Sequence, residues 1–73
     1  MRRQRLESEA IRSAGYDADA RVLEIEFNRG HVYRYRDVPN ALYEGLMTAA
    51  SHGAFFADHI RDAGFAYERI ERR

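Results

Sequence analysis

The chain has 73 residues, enough for one domain with one modest core, and it contains no cysteine. Disulfide frameworks, Cys-based zinc sites and thiol catalysis are therefore excluded. Twelve basic and twelve acidic side chains cancel to a formal charge of zero, which argues against the basic excess behind strong non-specific nucleic-acid binding but permits a local basic patch.

Residues 1–9 carry few apolar groups and read as a loosely ordered lead-in, with a single domain over residues 10–73. The first six residues are basic at Arg2, Arg3 and Arg5, but no apolar run follows, so neither a secretory nor a twin-arginine signal is expected. No apolar stretch approaches the ~20 residues of a membrane span, and a cytoplasmic location is expected. Residues 10–16 form a short β-like run ending in Gly15-Tyr16-Asp17, and residues 17–20 read as a turn, because Asp side chains accept from the backbone just ahead of them.

Residues 21–27 are the clearest strand: Leu23, Ile25 and Phe27 alternate with Val22, Glu24 and Glu26. Asn28-Arg29-Gly30 suits a three-residue hairpin loop, since Gly30 supplies the positive φ such a loop needs. Residues 31–36 return, with His31, Tyr33 and Tyr35 alternating with Val32, Arg34 and Arg36. That loop sets the register. Phe27 falls opposite His31, Ile25 opposite Tyr33 and Leu23 opposite Tyr35, all on one apolar and aromatic face. The other face pairs Glu24 with Arg34 and Glu26 with Val32, puts Arg36 near Val22, and is expected to be solvated.

Pro39 marks a change of period and fits a first helical position, where its missing N–H costs nothing. Leu42, Tyr43, Leu46 and Ala49 or Ala50 then recur at helical spacing. Ser51-His52-Gly53 interrupts them. Gly53 could end this helix, or Ser51 could cap a second one running to about residue 61 with Phe55, Phe56, His59 and Ile60 on its apolar side. Residues 62–64 break the pattern, and residues 65–70 resume alternation as an extended segment or edge strand. The expected architecture is α+β: a three-stranded antiparallel meander covered on one face by two short helices, with a C-terminal extended segment or edge strand.

The ordered set Gly15-Tyr16-Asp17, Leu23-Glu24-Ile25-Glu26-Phe27, Gly30, Tyr33-Arg34-Tyr35, Val38-Pro39, Tyr43, Ala50-Ser51-His52-Gly53, Phe56 and Ile60-Arg61 resembles the KTSC domain, over about residues 8–70. That family takes its name from a C-terminal extension of some lysyl-tRNA synthetases and also occurs as short stand-alone bacterial proteins. Its marker is the Tyr-x-Tyr, here Tyr33 and Tyr35, and its signature covers Tyr16, Tyr33, Tyr35, Pro39 and Phe56. Ala57 stands where family members commonly carry Asn. Phe65-Ala66-Tyr67 stands for an aromatic-Pro-Tyr after one extra residue near position 63. The resemblance implies an interaction module with RNA or a translation-associated protein as partner, and no cofactor.

Tyr33 and Tyr35 could serve as a base-stacking platform, but their parity puts them under the helices, so a core role is expected with the hydroxyls at the rim. Every basic residue is Arg. Genome-wide codon bias explains that, and so would planar recognition of phosphates and bases. Arg12, Arg34, Arg36 and Arg61 are the candidate nucleic-acid contacts, with Glu24 and Glu26 opposing the first three. His31, His52 and His59 lack the spacing of a zinc site, Ser51-His52 lacks an orienting third group, and no phosphate-cradling glycine loop occurs. No catalytic residue and no metal site is assigned. The alternative to an RNA module is a protein–protein or self-association module using the C-terminal edge strand.

Overall fold

The computed structural model describes residues 3–70; Met1, Arg2 and residues 71–73, which fall inside the expected boundaries 1–9 and 10–73, lie outside the described residues. Five strands form one antiparallel sheet in sequence order: β1 (Arg3–Arg5), β2 (Ile11–Asp17), β3 (Val22–Phe27), β4 (Val32–Tyr35) and β5 (Tyr67–Ile70). Between β4 and β5 lie α1 (Asn40–Thr48), α2 (His52–His59) and a single 3-10 turn over Arg61–Ala63.

The central hairpin has the register that its loop dictates. Leu23 faces Tyr35, Glu24 faces Arg34, Ile25 faces Tyr33 and Glu26 faces Val32. Gly30 takes a φ of 96° in the loop, which an L side chain adopts only under strain. The α+β class holds, but the three-stranded meander is corrected to five strands. Tyr67–Ile70 pairs within the chain against β4, which settles the C-terminal segment as an edge strand.

Part of the lead-in is likewise not loose. Arg3–Arg5 pairs with Ser13–Gly15 of β2, and Leu6 behind it is buried in the core. The Arg-Gln-Arg sequence carries no apolar alternation to announce a strand. Backbone pairing, the Leu6 anchor and an ion pair from Arg3 to Glu24 hold it.

A β-bulge at Arg12 lies between Ile11, opposite Phe27, and Ser13, opposite Glu26. The extra residue shifts parity, so Ile11 and Ala14 both reach the helix-covered core while Ser13 turns to the other face. The Asp17–Ala20 turn forms as expected, with Asp17 Oδ1 accepting from the N–H groups of Asp19 and Ala20.

Pro39 sits one place outside its expected position, as the extended N-cap of α1. Ser51 does cap α2, accepting from the Ala54 N–H at 3.2 Å. That helix stops at His59, two residues short of the expected end, because the chain tightens into the 3-10 turn and leaves it through Gly64 at φ 87°. Phe55 packs on Gly45, where a Cβ would stand 2.6 Å from the ring, so α1 and α2 approach through a missing side chain.

Tyr16 ties sheet and helices together. Its ring stacks on Tyr43 of α1 at 5.1 Å, and its hydroxyl donates to the carbonyl of buried Val38 at 2.5 Å. Tyr16→Phe keeps the stack but strands the Val38 carbonyl, so it should cost about 1–3 kcal/mol, read as a lower urea midpoint with an unchanged slope.

Candidate functional site: an aromatic groove

The two faces of the sheet differ in chemistry, and the candidate arginines divide between them. On the face away from the helices, Glu24 and Glu26 are each only 6% exposed, not solvated as expected. Arginines from neighbouring strands cover them. Arg34 Nε donates to Glu24 at 2.8 Å, and Arg3 reaches the same carboxylate from β1. Gly15 stands between Arg3 and Glu24 in the register, and its lack of a side chain leaves that path open. Ser13 Oγ donates to Glu26 at 2.8 Å, and Arg12 lies 3.8 Å from the same residue while donating to the Asn28 carbonyl. Arg36 pairs with Glu68 at 2.5 Å.

Arg12, Arg34 and Arg36 are therefore already engaged by carboxylates. Among the described residues Arg61 has an ion pair only with its neighbour Asp62, at 3.3 Å and in the open, where such a pair is weak. Among the described residues, Arg29 and Arg69 have no ion pair.

The other face carries the groove. It has a volume of about 580 Å³, and Phe27, Tyr33, Tyr35, Phe56 and Tyr67 line it. The rings form a continuous edge-to-face network. Phe27 meets Tyr33 at 5.6 Å and Phe56 at 5.4 Å, Tyr35 meets Phe56 at 5.5 Å, and Tyr33 meets Tyr67 at 5.9 Å. Such contacts fix ring orientation. Tyr35 is buried at 5% exposure, whereas Tyr67 is 64% exposed and Tyr33 lies between them.

Tyr35 and Phe56 are buried, and Tyr33 is half-buried on the groove wall. Burial, with Tyr33 and Tyr67 beside it, raises the Tyr35 phenol to about 12 against a small opposing pull from Arg61. The groove floor accordingly presents a neutral ring.

Charge gathers at the rim. Arg29, Arg61, His31 and Glu9 line the groove, and Arg69 pairs in register with Tyr33, on the same side of β5 as Tyr67. Of the four candidate contacts, only Arg61 belongs to this site. Tyr67, Arg69, Arg29 and Glu9 were not among the candidates. Parity along β5 was the signal that could have found Tyr67 and Arg69, once β5 was paired with β4.

The histidines have other partners. His52 Nδ1 lies 2.7 Å from the Leu46 carbonyl, and His59 packs on Phe55 with ring centres 4.4 Å apart. Among the described residues no group of three or more His, Asp or Glu is placed to hold a metal ion, and no helix is long and apolar enough to cross a membrane.

These features define a small two-layer α+β domain with an aromatic, cation-rimmed groove. The KTSC domain profile matches residues 7–65, and the chain belongs to the KTSC domain family. It is 38% identical to an uncharacterized protein of Stutzerimonas stutzeri, over 97% of this chain and 100% of that one. The crystal structure of a KTSC domain protein from Yersinia pestis superposes with a TM-score of 0.85 at 39% identity, covering 96% of this chain and 97% of that one. A lysine–tRNA ligase of Nostoc punctiforme is 34% identical over 88% of this chain, which corresponds to 11% of the ligase.

Glu24 yields a test of the outer face. Burial pushes its carboxyl up, but hydrogen bonds from Arg34 and Arg3 outweigh that and hold it below the ordinary 4.5. A carboxyl depressed in the folded state adds stability above its unfolded value, and that stability is lost as pH falls through the folded one. Glu24→Gln should cost about 1.5–3 kcal/mol at neutral pH and flatten the decline of urea midpoint below pH 4.5.

Proposed function

We propose that this domain is a non-catalytic interaction module that binds a short single-stranded segment of RNA in the aromatic groove. The observation that carries the reading is Tyr67, whose ring is 64% exposed at the mouth of a groove otherwise walled by packed aromatics. An uncovered ring beside arginines that have no carboxylate partner among the described residues is what base stacking with phosphate contact requires. Arg29 and Arg69, which have no ion pair among the described residues, supply cations, and Arg61, held only by an exposed pair with Asp62, adds one from the 3-10 turn.

Similarity to a segment of lysine–tRNA ligases supports an RNA or translation-associated partner. The balanced charge of the whole chain fits local recognition rather than broad coating of a nucleic acid. A cytoplasmic site of action accords with such a partner. The rings stack and the cations position; no group in the groove is assigned a chemical step.

The test is a low-salt titration with tRNA and with short mixed single strands. Binding tighter than about 0.1 mM, the weak end of ordinary non-specific affinity, is expected; none at that level would defeat the reading. Tyr67→Ala should weaken binding by about 1–3 kcal/mol, the worth of one stacked base, while the chain stays folded with a modestly lower thermal midpoint, because the ring is largely exposed but contacts Tyr33 and Tyr35.

A second reading rests on β5 itself. It is the outermost strand, its first three residues are exposed, and such an edge can pair with another chain. The Arg36–Glu68 pair and Arg69 place charge along that edge, which discourages pairing. Sedimentation across a wide concentration range should therefore give a constant mass, and a mass that rises with concentration would favour self-association.

A further inference from the structure

We propose that one corner of the groove reads guanine, an inference that rests on the single-stranded RNA reading above. Asn28 builds the corner. Its side-chain N–H groups donate to the carbonyls of Ser8 at 3.0 Å and Glu9 at 2.6 Å, and its backbone N–H donates to Ala10 at 3.0 Å. The loop before β2 is thereby pinned to the β3–β4 hairpin, so that Glu9 and Arg29 belong to one groove. Both line the groove, and among the described residues neither side chain has an ion pair or hydrogen bond.

A carboxylate only accepts hydrogen bonds, and a guanidinium only donates them. Guanine matches that pair. Its N1–H and N2–H2 lie side by side as donors for a carboxylate, and its O6 and N7 accept a guanidinium fork. Adenine would turn its N1 acceptor towards Glu9, cytosine its N3, and uracil would offer a single N–H between two carbonyls. Each sets an acceptor against an acceptor. The edge that Glu9 reads is hidden in a duplex, so the base must be unpaired. Phe27, Tyr33 and Tyr67 line the same groove edge to face, so a bicyclic base stacks on one of these rings and meets its neighbours at an angle.

The experiment uses the full chain and labelled pentanucleotides U-U-X-U-U at low salt, with X as guanine, inosine, adenine or uracil. Guanine should bind at least about fivefold tighter than adenine or uracil, with inosine weaker than guanine because it lacks the 2-amino group. Glu9→Gln should remove most of the gap between guanine and inosine. Glu9 is exposed, so the variant should melt like the parent, and circular dichroism checks that.

Equal affinity for all four strands overturns the guanine inference while the RNA reading stands. No binding to any of them overturns both. A guanine preference that survives Glu9→Gln overturns the role given to Glu9. Free guanosine monophosphate serves as competitor: displacement at concentrations matching the strand makes the free nucleotide the ligand, and failure to displace assigns the base to a strand, each with guanine as the base read.

Discussion

The alternation along the β3–β4 hairpin is the constraint on which the rest of the structure hangs. The loop at Asn28, Arg29 and Gly30 leaves one pairing in which Leu23 and Ile25 meet Tyr35 and Tyr33. A slip of one residue would put the tyrosines on the same face as Glu24 and Glu26, so that either the rings left the core or the carboxylates entered it. Two neutral aromatics and two carboxylates are thus sorted by a three-residue turn. The helices then close over the apolar side, and arginines from β1, β2 and β4 close over the acidic side.

That sorting also decides which arginines can reach a ligand. A guanidinium held by a buried carboxylate must break a short, charge-assisted contact before it can meet a phosphate. Arg34 and Arg3 on Glu24 and Arg12 beside Glu26 serve the sheet. Arg29 and Arg69 have no such partner among the described residues, and both lie on the aromatic side. A chain with no net charge still gathers cations at this rim, because Glu24, Glu26 and Glu68 are engaged by arginines on the other face.

The hairpin, its register, the Asp17 turn and the Ser51 cap were legible in the sequence because each rests on contacts between near neighbours, which period and turn chemistry encode directly. β1 was not, because Arg3, Gln4 and Arg5 owe their strand to Glu24, two strands away, and to Leu6. The bulge at Arg12 was hidden for a related reason: it reconciles Ile11 and Ala14 with the core, which only β3 defines. The site was the least legible part. Tyr33 and Tyr35 were correctly assigned to the helix side, but the sequence does not state how far the helices extend over it. Arg12, Arg34 and Arg36 were readable as cations, whereas their carboxylate partners emerge only once the strands are aligned.

The extent of that cover is a matter of length. Helices of nine and eight residues rise about 13 and 12 Å, while the six-residue strand β3 runs about 20 Å. Two short helices cannot roof the sheet from end to end. What they leave open is the hairpin end and the β5 edge, where Phe27, Tyr33 and Tyr67 stand. Filling that space with one more turn of helix would bury the rings and add stability to a domain small enough to need it. Tyr67 instead keeps most of its surface in water while its ring packs edge to face with Tyr33 and lies tilted beside Tyr35. A large ring that is fixed in place yet left uncovered adds little to the core, and that combination is what makes it suited to contact with something outside the chain.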